Sequence, residues 1–564
     1  MALTLSPLII GIILAGAGFF TFLIILILSL VKKPKPTKIK ISPKEVAKEE
    51  KPTFQIQQPT IPKLPPFKDP TKVDVRYPLT PPYAYAHVHW NPETTELMYE
   101  IEEPILNDKE KETLQLLEKG LKELISLSFI RVTDPNTVLL YLEKNVKVLL
   151  SELAISLSKD SFLKIMYYIY RDFIGLNELE PLMNDPFIED IECNGLNTPV
   201  YLVHRVYRNI KTNLIYKDIY KAAAFVEKLA QKCGKYVSYA SPILDGSLPD
   251  GSRVNATYTT DITTRGPTFT IRRFTKIPLN PIQLMQKGTL TAEMLAYLWM
   301  LVEYENSLMV IGGTGSGKTS LLNTIAFFIP PQARVVSIED TRELQLEHEN
   351  WLPSVARAGV GMATLTGQKL GEVSLFDLLR ASFRQRPDYI IVGEVRGKEA
   401  FILFQAFASG HPGMATMHAE NVETMIRRLE TPPINLSGSL VMTLSAVCVM
   451  VQSKIKGKEV RKLASIDEIV EVKEHLAGQT LNNVFRWDPK TDNFVFNPNS
   501  VAFKKISQHY GYTADQLLNE LKLRASLLKA IYKRNILDFK EVQHIIHEYY
   551  KKPKDVLKKY GVLR

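Results

Sequence analysis

An uncharged, almost wholly apolar run extends from Leu8 to Val31, 24 residues in all. As a helix rising about 1.5 Å per residue it reaches roughly 36 Å, more than a hydrocarbon core of about 30 Å. A cleaved signal peptide with Ala15 to Ala17 as its small-residue site is the competing reading. Against it, Met1 to Pro7 carries no basic residue and the run continues well past Ala17. The expectation is a retained anchor over residues 1–31. Lys32, Lys33, Lys35, Lys38 and Lys40 follow it, and the positive-inside rule then places the rest of the chain in the cytoplasm, as a single-pass protein of the cytoplasmic membrane.

From 32 to 82 the chain reads as Pro and Lys punctuation with little apolar periodicity, the pattern of an extended linker. Over 83–170 it turns helical, with Leu114, Leu117 and Leu121 on one face. A small α/β domain is expected over 171–278: Pro199 to Val203 and Pro267 to Arg273 read as strands, Tyr216 to Cys233 as a helix. Alternating strands and helices over 279–500 predict a parallel-sheet α/β domain. Residues 501–564 are helical again, most clearly at Gln516 to Ile531 and Phe539 to Tyr550.

Charge narrows the choice of partner. The net +10 is concentrated at the ends: residues 1–80 carry 12 basic against 5 acidic side chains and residues 501–564 carry 14 against 6, which leaves the body at −5. A motor threading duplex DNA needs its positive field where the polymer passes, so an anionic membrane surface or acidic partner fits better than nucleic acid. Three cysteines far apart in the sequence exclude a disulfide framework and a zinc ribbon. His544 and His547, three residues apart, read as a solvated or packed helix face because no further ligand set accompanies them.

The chemistry concentrates at four places. The apolar strand Ser307 to Ile311 runs into GGTGSGKT, Gly312 to Thr319, and then a helix-forming stretch, Ser320 to Phe328. That is a phosphate loop in its strand–loop–helix context: backbone N–H groups of Gly312, Gly313, Thr314, Gly315, Ser316 and Gly317 cradle phosphate oxygens, with Ser320 on the first helical turn. Lys318 neutralises terminal phosphate charge, and Thr319 offers a hydroxyl to Mg²⁺. The strand Ala333 to Ile338 ends in Glu339, Asp340 and Glu343, placing carboxylates where open parallel sheets bind ligands; Glu339 and Asp340 are the candidate metal partners. RPDYIIVGEVRG puts Glu394 just past another strand, where it can orient a water or hydrated Mg²⁺ near a γ-phosphate. SGHPGMATMHAE ends a short strand at His418, a structural histidine in isolation and a candidate γ-phosphate sensor in this company.

GGTGSGKT, IEDTREL, RPDYIIVGEVRG and SGHPGMATMHAE, in this order and spacing, resemble the Walker A, Asp box, Walker B and His box of the type II/type IV secretion ATPase superfamily. Leu378 to Arg386, Glu189 to Gly195 and Pro199 to His204 resemble its archaeal pilus and archaellum assembly branch. The resemblance implies a RecA-like ATPase domain beside a smaller PAS-like amino-terminal domain, ATP and Mg²⁺, a hexameric ring and a polytopic membrane platform protein as partner. It also implies arginines of the amino-terminal domain at the nucleotide, matched here by Arg253, Arg272 and Arg273, with Arg265 a further candidate, and it places His411 beside His418 in the His box. The expected activity is ATP hydrolysis driving assembly of a type IV pilus-like filament or secretion. A conjugative DNA-transfer ATPase is the alternative, and a nucleotide-gated scaffold is disfavoured by the presence of both Glu343 and Glu394. Glu394 is the preferred general base and Glu343 the water- or Mg²⁺-positioning residue, roles the sequence leaves interchangeable. Two features depart from the family pattern: there is no tetracysteine zinc insertion, and most members lack an anchor of their own.

Overall fold

The computed structural model describes residues 53–57, 69–124, 135–274, 278–357, 371–455, 458–473 and 478–563, with a few single positions between 58 and 68 and residue 359. Three strands lie where linker and helix were expected: β1 (Asp74–Thr80), β2 (Ala84–Asn91) and β3 (Glu96–Glu102). Their inward positions are small or isolated, Ala84, Ala86 and Val88 on β2 and Tyr99 on β3. Period-two burial is therefore present without a strong hydropathy signal.

These strands extend a sheet formed by β4 (Ile188–Cys193), β5 (Pro199–His204), β6 (Arg208–Ile215), β7 (Ile243–Ser247), β8 (Arg253–Thr257) and β9 (Thr268–Arg272). The nine strands run in the order β1-β2-β3-β6-β5-β4-β9-β8-β7. The seam between β3 and β6 is short and parallel, pairing Met98 with Lys211 and Tyr99 with Thr212. Beneath it the fully buried Asp185 accepts hydrogen bonds from Tyr77 Oη at 2.7 Å, Tyr99 Oη at 2.6 Å and the Phe187 N–H at 2.8 Å. A buried carboxylate is tolerated only when its lone pairs are filled in this way. The helix Ile219–Lys232, capped by Asp218, buries Phe225, Val226 and Leu229.

A separate compact unit comprises residues 53–55 together with the described residues between Leu106 and Tyr170. Its helices are Asp108–Leu124, Pro135–Glu152 and Lys159–Ile169, with Leu117, Leu121, Leu142 and Val146 buried. Phe54 donates its N–H to Glu143 at 3.2 Å.

The second sheet holds β10 (Leu308–Gly312), β11 (Val335–Glu339), β12 (Trp351–Val355), β13 (Tyr389–Val392), β14 (Gly413–Met417), β15 (Ala446–Ile455), β16 (Lys458–Lys473), β17 (Gly478–Asp488) and β18 (Asn493–Phe496). Its order is β12-β11-β13-β14-β10-β15-β16-β17-β18, parallel as far as β15 and antiparallel beyond. Every residue of β10 is buried, the mark of a parallel strand covered on both faces. Leu308 and Val310 point into one core, with the helix Ala292–Glu303 and the carboxyl-terminal helices; Met309 and Ile311 point into the other, with the helix Glu399–Ala408. The result is a three-layer RecA-like α/β arrangement. The chain order changes direction at β10 and β14, so the crevice at their carboxyl ends is where a ligand is expected.

No helix among the described residues is long and apolar enough to cross a membrane. The expected fold is corrected accordingly to mixed α/β without a membrane-spanning helix among those residues, and single-pass membrane placement is not supported. The physical reason is length: the very apolar helix Ala292–Glu303 has 12 residues and is buried in protein, and at about 1.5 Å per residue it falls well short of a bilayer core. The run 8–31, on which both expectations rested, lies outside the described residues.

Candidate nucleotide site

The phosphate loop takes its shape from its glycines. Gly312 has φ 155°, and a Cβ there would sit 2.3 Å from the Met450 carbonyl oxygen and 2.6 Å from Ser316 Oγ, so β15 passes too close for any side chain. Gly317, at φ 97°, makes the left-handed step that starts the helix Lys318–Ala326. Gly313, Thr314 and Gly315 are exposed, Ser316 is buried, and Thr319 and Ser320 are half-buried on the first turn. Ser316 Oγ and Lys318 Nζ donate to the Gly313 carbonyl at 2.8 and 2.9 Å, folding the lysine over the loop.

From Lys318 a line of charge-bearing groups crosses the crevice. Lys318 Nζ lies 3.3 Å from His418 Nδ1, and His418 Nε2 lies 3.1 Å from Glu394 Oε1. Glu394 Oε2 accepts from the Arg396 guanidinium at 2.5 Å. Burial pushes the Lys318 ammonium below its ordinary pKa, against the pull of Glu394 and Glu343. Burial, then the Lys318 charge, lowers His418. A neutral imidazole accepting from Lys318 at Nδ1 carries its proton on Nε2, facing Glu394. Three neighbouring strands hold this line: Val395 N–H donates to the Thr416 carbonyl at 2.8 Å, Thr416 Oγ1 to the Gly393 carbonyl at 2.6 Å, and Gly393 N–H to the Ile338 carbonyl at 2.9 Å. A cavity of ≈ 400 Å³ opens beside Glu394, Arg396, His418 and Arg428.

Glu339 is placed as a clamp. It is 1% exposed, and its Oε1 accepts the backbone N–H groups of Glu343 and Leu344 at 2.8 and 2.9 Å, closing the turn that presents Asp340 and Glu343 to solvent. Burial raises its pKa to about 7. Burial also raises Asp340, with Arg396 and Arg253 opposing. Thr319, Asp340 and Glu339 are the residues that would hold a metal: a half-buried hydroxyl, an exposed carboxylate, and a buried carboxylate whose Oε1 is spent on the turn and whose Oε2 has no hydrogen-bond partner.

Among the arginines, Arg253 and Arg272 are brought within electrostatic reach of the Asp box, acting on Asp340 and feeling Glu343 respectively. Arg272 Nε also donates to Asp190 at 3.0 Å, its cross-strand neighbour. Arg273 instead turns into the amino-terminal domain, where burial lowers its pKa with Asp185 opposing and its NH1 reaches the Ile188 carbonyl at 3.4 Å. Arg265 supplies its carbonyl to the Leu196 N–H. His411 stands at the far end of β14 from His418, against the Phe383 ring, so the site receives only one histidine of that motif.

Arg396, Gln452 and Arg461 join the site without a role that their motifs announce. A Cβ on Gly315 would lie 3.6 Å from Gln452 Oε1, and one on Gly317 3.6 Å from Arg461 Cδ. These two are cross-strand partners on β15 and β16, and the only sequence signal is a polar pair in the hairpin beside β10. His547 hydrogen-bonds Gln543 at 2.7 Å, as a packed helix face would.

The sequence profile of the family described as Type II/IV secretion system protein matches residues 216–545. The chain is 40% identical over 393 residues to the uncharacterized protein MJ0900 of Methanocaldococcus jannaschii, covering 69% of this chain and 70% of that one. It is 30% identical over 279 residues to the type IV secretion system protein PtlH of Bordetella pertussis, covering 45% and 77%. Among solved structures, the Legionella pneumophila ATPase DotB aligns at 19% identity over 63% of this chain and 93% of that chain, with a TM-score of 0.37. The chain belongs to the type II/IV secretion ATPase family. It is an ATP-hydrolysing enzyme.

Proposed function

We propose that this chain is a ring-forming, Mg²⁺-dependent motor in which closure of the amino-terminal sheet and the ATPase domain over ATP displaces a polytopic membrane platform protein, driving assembly of a type IV pilus-like filament or secretion at an anionic membrane surface. The observation that carries this reading is the line Lys318–His418–Glu394, which couples the phosphate-binding ammonium to a carboxylate two strands away. A γ-phosphate entering the loop competes for the Lys318 ammonium. His418 then loses its donor at Nδ1 and responds to the occupancy of the loop.

Mg²⁺ held by Thr319, Asp340 and the unpartnered Oε2 of Glu339 would neutralise charge on the transferring phosphoryl group. Arg396 fixes one oxygen of Glu394, leaving Oε1 to orient the attacking water with His418. Glu343 positions water or metal from the exposed end of its turn. Arg253 and Arg272 meet the phosphates from the amino-terminal domain, so binding of ATP rewards closure with contacts the open state lacks. A hexamer is the ring we propose.

Steady-state turnover tests this reading, with anionic vesicles or DNA added. Glu394→Gln is expected to bind ATP and lose at least about a hundredfold in kcat. Stimulation by vesicles and not by DNA is expected. Normal hydrolysis by Glu394→Gln together with an inactive Glu343→Gln would exchange the two roles, and strong stimulation by DNA alone would replace the filament motor with a DNA-transfer ATPase.

A further inference from the structure

The outer face of the β1–β3 ribbon carries a group of side chains unrelated to the nucleotide site. On β2, His87 and His89 alternate with the buried Ala86 and Val88, so both imidazoles stand on the same face. Their ring centroids are 4.5 Å apart. Across the ladder Glu100 of β3 is the register partner of His87, and Asp74 of β1 is that of His89. One ligand atom from each of His87, His89 and Glu100 can be chosen so that all three lie within 4.8 Å of one another.

We propose that His87, His89 and Glu100 form a binding site for a divalent transition metal, zinc in the first instance, with Asp74 orienting His87. Two imidazoles two residues apart on one strand, with a carboxylate from the neighbouring strand, supply the nitrogen and oxygen donors Zn²⁺ prefers and leave its fourth position to water. Asp74 Oδ1 lies 2.8 Å from His87 Nε2, the relation by which a carboxylate fixes the ring and tautomer of a metal-ligating histidine. Glu102 also approaches His87, its Oε1 standing 3.6 Å from His87 Nδ1, while its Oε2 accepts from Arg76 Nε at 2.5 Å. Among the described residues, Asp74 and Glu100 have only these histidines as ion-pair partners, Glu100 Oε1 standing 3.9 Å from His89 Nε2. His89 Nδ1 is buried without a hydrogen-bond partner, a polar atom that a metal or its bound water would satisfy. A metal here would tie β2 to β3 just outside the two-residue seam between β3 and β6.

The test is Zn²⁺ binding to the full-length chain without nucleotide, followed by calorimetry, with Co²⁺ substituted to read coordination from its visible spectrum. One equivalent of Zn²⁺ per chain is expected, with tetrahedral Co²⁺ bands and a thermal midpoint raised by Zn²⁺. His87→Ala and His89→Gln should each weaken binding at least about tenfold, and Asp74→Asn about tenfold. Circular dichroism and the metal-free melting curve check that the variants fold. His418→Ala removes a histidine that faces a carboxylate elsewhere in the chain and should leave Zn²⁺ uptake intact. Absence of stoichiometric uptake overturns the proposal. So does uptake that is unchanged in folded His87→Ala and His89→Gln, or uptake that disappears in His418→Ala.

Discussion

Glu339 shows how one strand-end carboxylate can serve a turn with one oxygen and keep the other, Oε2, buried without a hydrogen-bond partner. Its position at the end of β11 suits a metal ligand, and the chain returns in a tight turn that spends one of its oxygens on two backbone N–H groups. The folded state holds its proton to about pH 7, whereas an unfolded glutamate releases it near 4.5. Between those values the folded state binds more protons, so this group's contribution to stability falls as pH rises through the window. Glu339→Gln keeps an acceptor for the turn and removes the titration. The variant should match wild type near pH 4 and exceed it above pH 8, by on the order of 2–3 kcal/mol, in denaturant melts at the two pH values. Unchanged ATPase activity would leave Glu339 to the turn alone, and its complete loss would place Oε2 at the metal.

At the scale of elements, close approach between β13 and β14 sets the geometry of the site. A Cβ on Gly413 would fall 2.5 Å from the Ile390 carbonyl oxygen and 2.8 Å from Phe407, and the backbone cannot yield without moving the strand that carries His418. Gly413→Ala is expected to destabilise the protein by about 1–3 kcal/mol and to lower kcat, read by melting and turnover. An unchanged melting point would show that the two strands have room to separate. The phosphate loop was legible because its glycines, lysine and threonine are fixed by phosphate chemistry and flanked by an apolar strand and a helix. The carboxylates past β11 and β13 were legible as positions, since parallel strands end at the crevice, but which oxygen faces a backbone N–H is decided by a turn the sequence does not announce. The ribbon β1–β3 was missed for a different reason. Pro78 interrupts β1, Pro81 and Pro82 follow it, and on β2 small residues face inward while Tyr85, His87 and His89 face outward, which inverts the usual contrast between a large apolar core side and a polar surface.

At the scale of the whole molecule, the sequence pattern separates the basic carboxyl-terminal helices from the ATPase domain, whereas these helices complete one of that domain's two cores. Leu517, Leu521, Leu528, Ile531 and Ile546 share a cluster with Trp299 and Phe328. Trp299 Nε1 donates to Tyr550 Oη at 2.9 Å, Tyr550 Oη donates to the Phe328 carbonyl at 2.5 Å, and Gln543 donates to the Phe327 carbonyl at 3.0 Å. Phe327 and Phe328 directly follow the phosphate-loop helix, so the tail packs against the far end of the element that binds phosphate. Glu468, 1% exposed on β16, accepts from Tyr297 at 2.7 Å, from the Val501 N–H at 2.7 Å and from the Ala502 N–H at 2.9 Å, capping the helix Val501–Tyr510 with a buried charge. Ending the chain at Ser500 would strip those two backbone donors from a buried carboxylate, at several kcal/mol, and expose the apolar face around Trp299. The truncated chain is therefore expected to lose its cooperative thermal transition and its ATP binding together, measured by calorimetry and nucleotide titration. A cooperative melt with undiminished ATP affinity would make the tail an appendage, and its exposed lysines would then have to act without help from the domain beneath them.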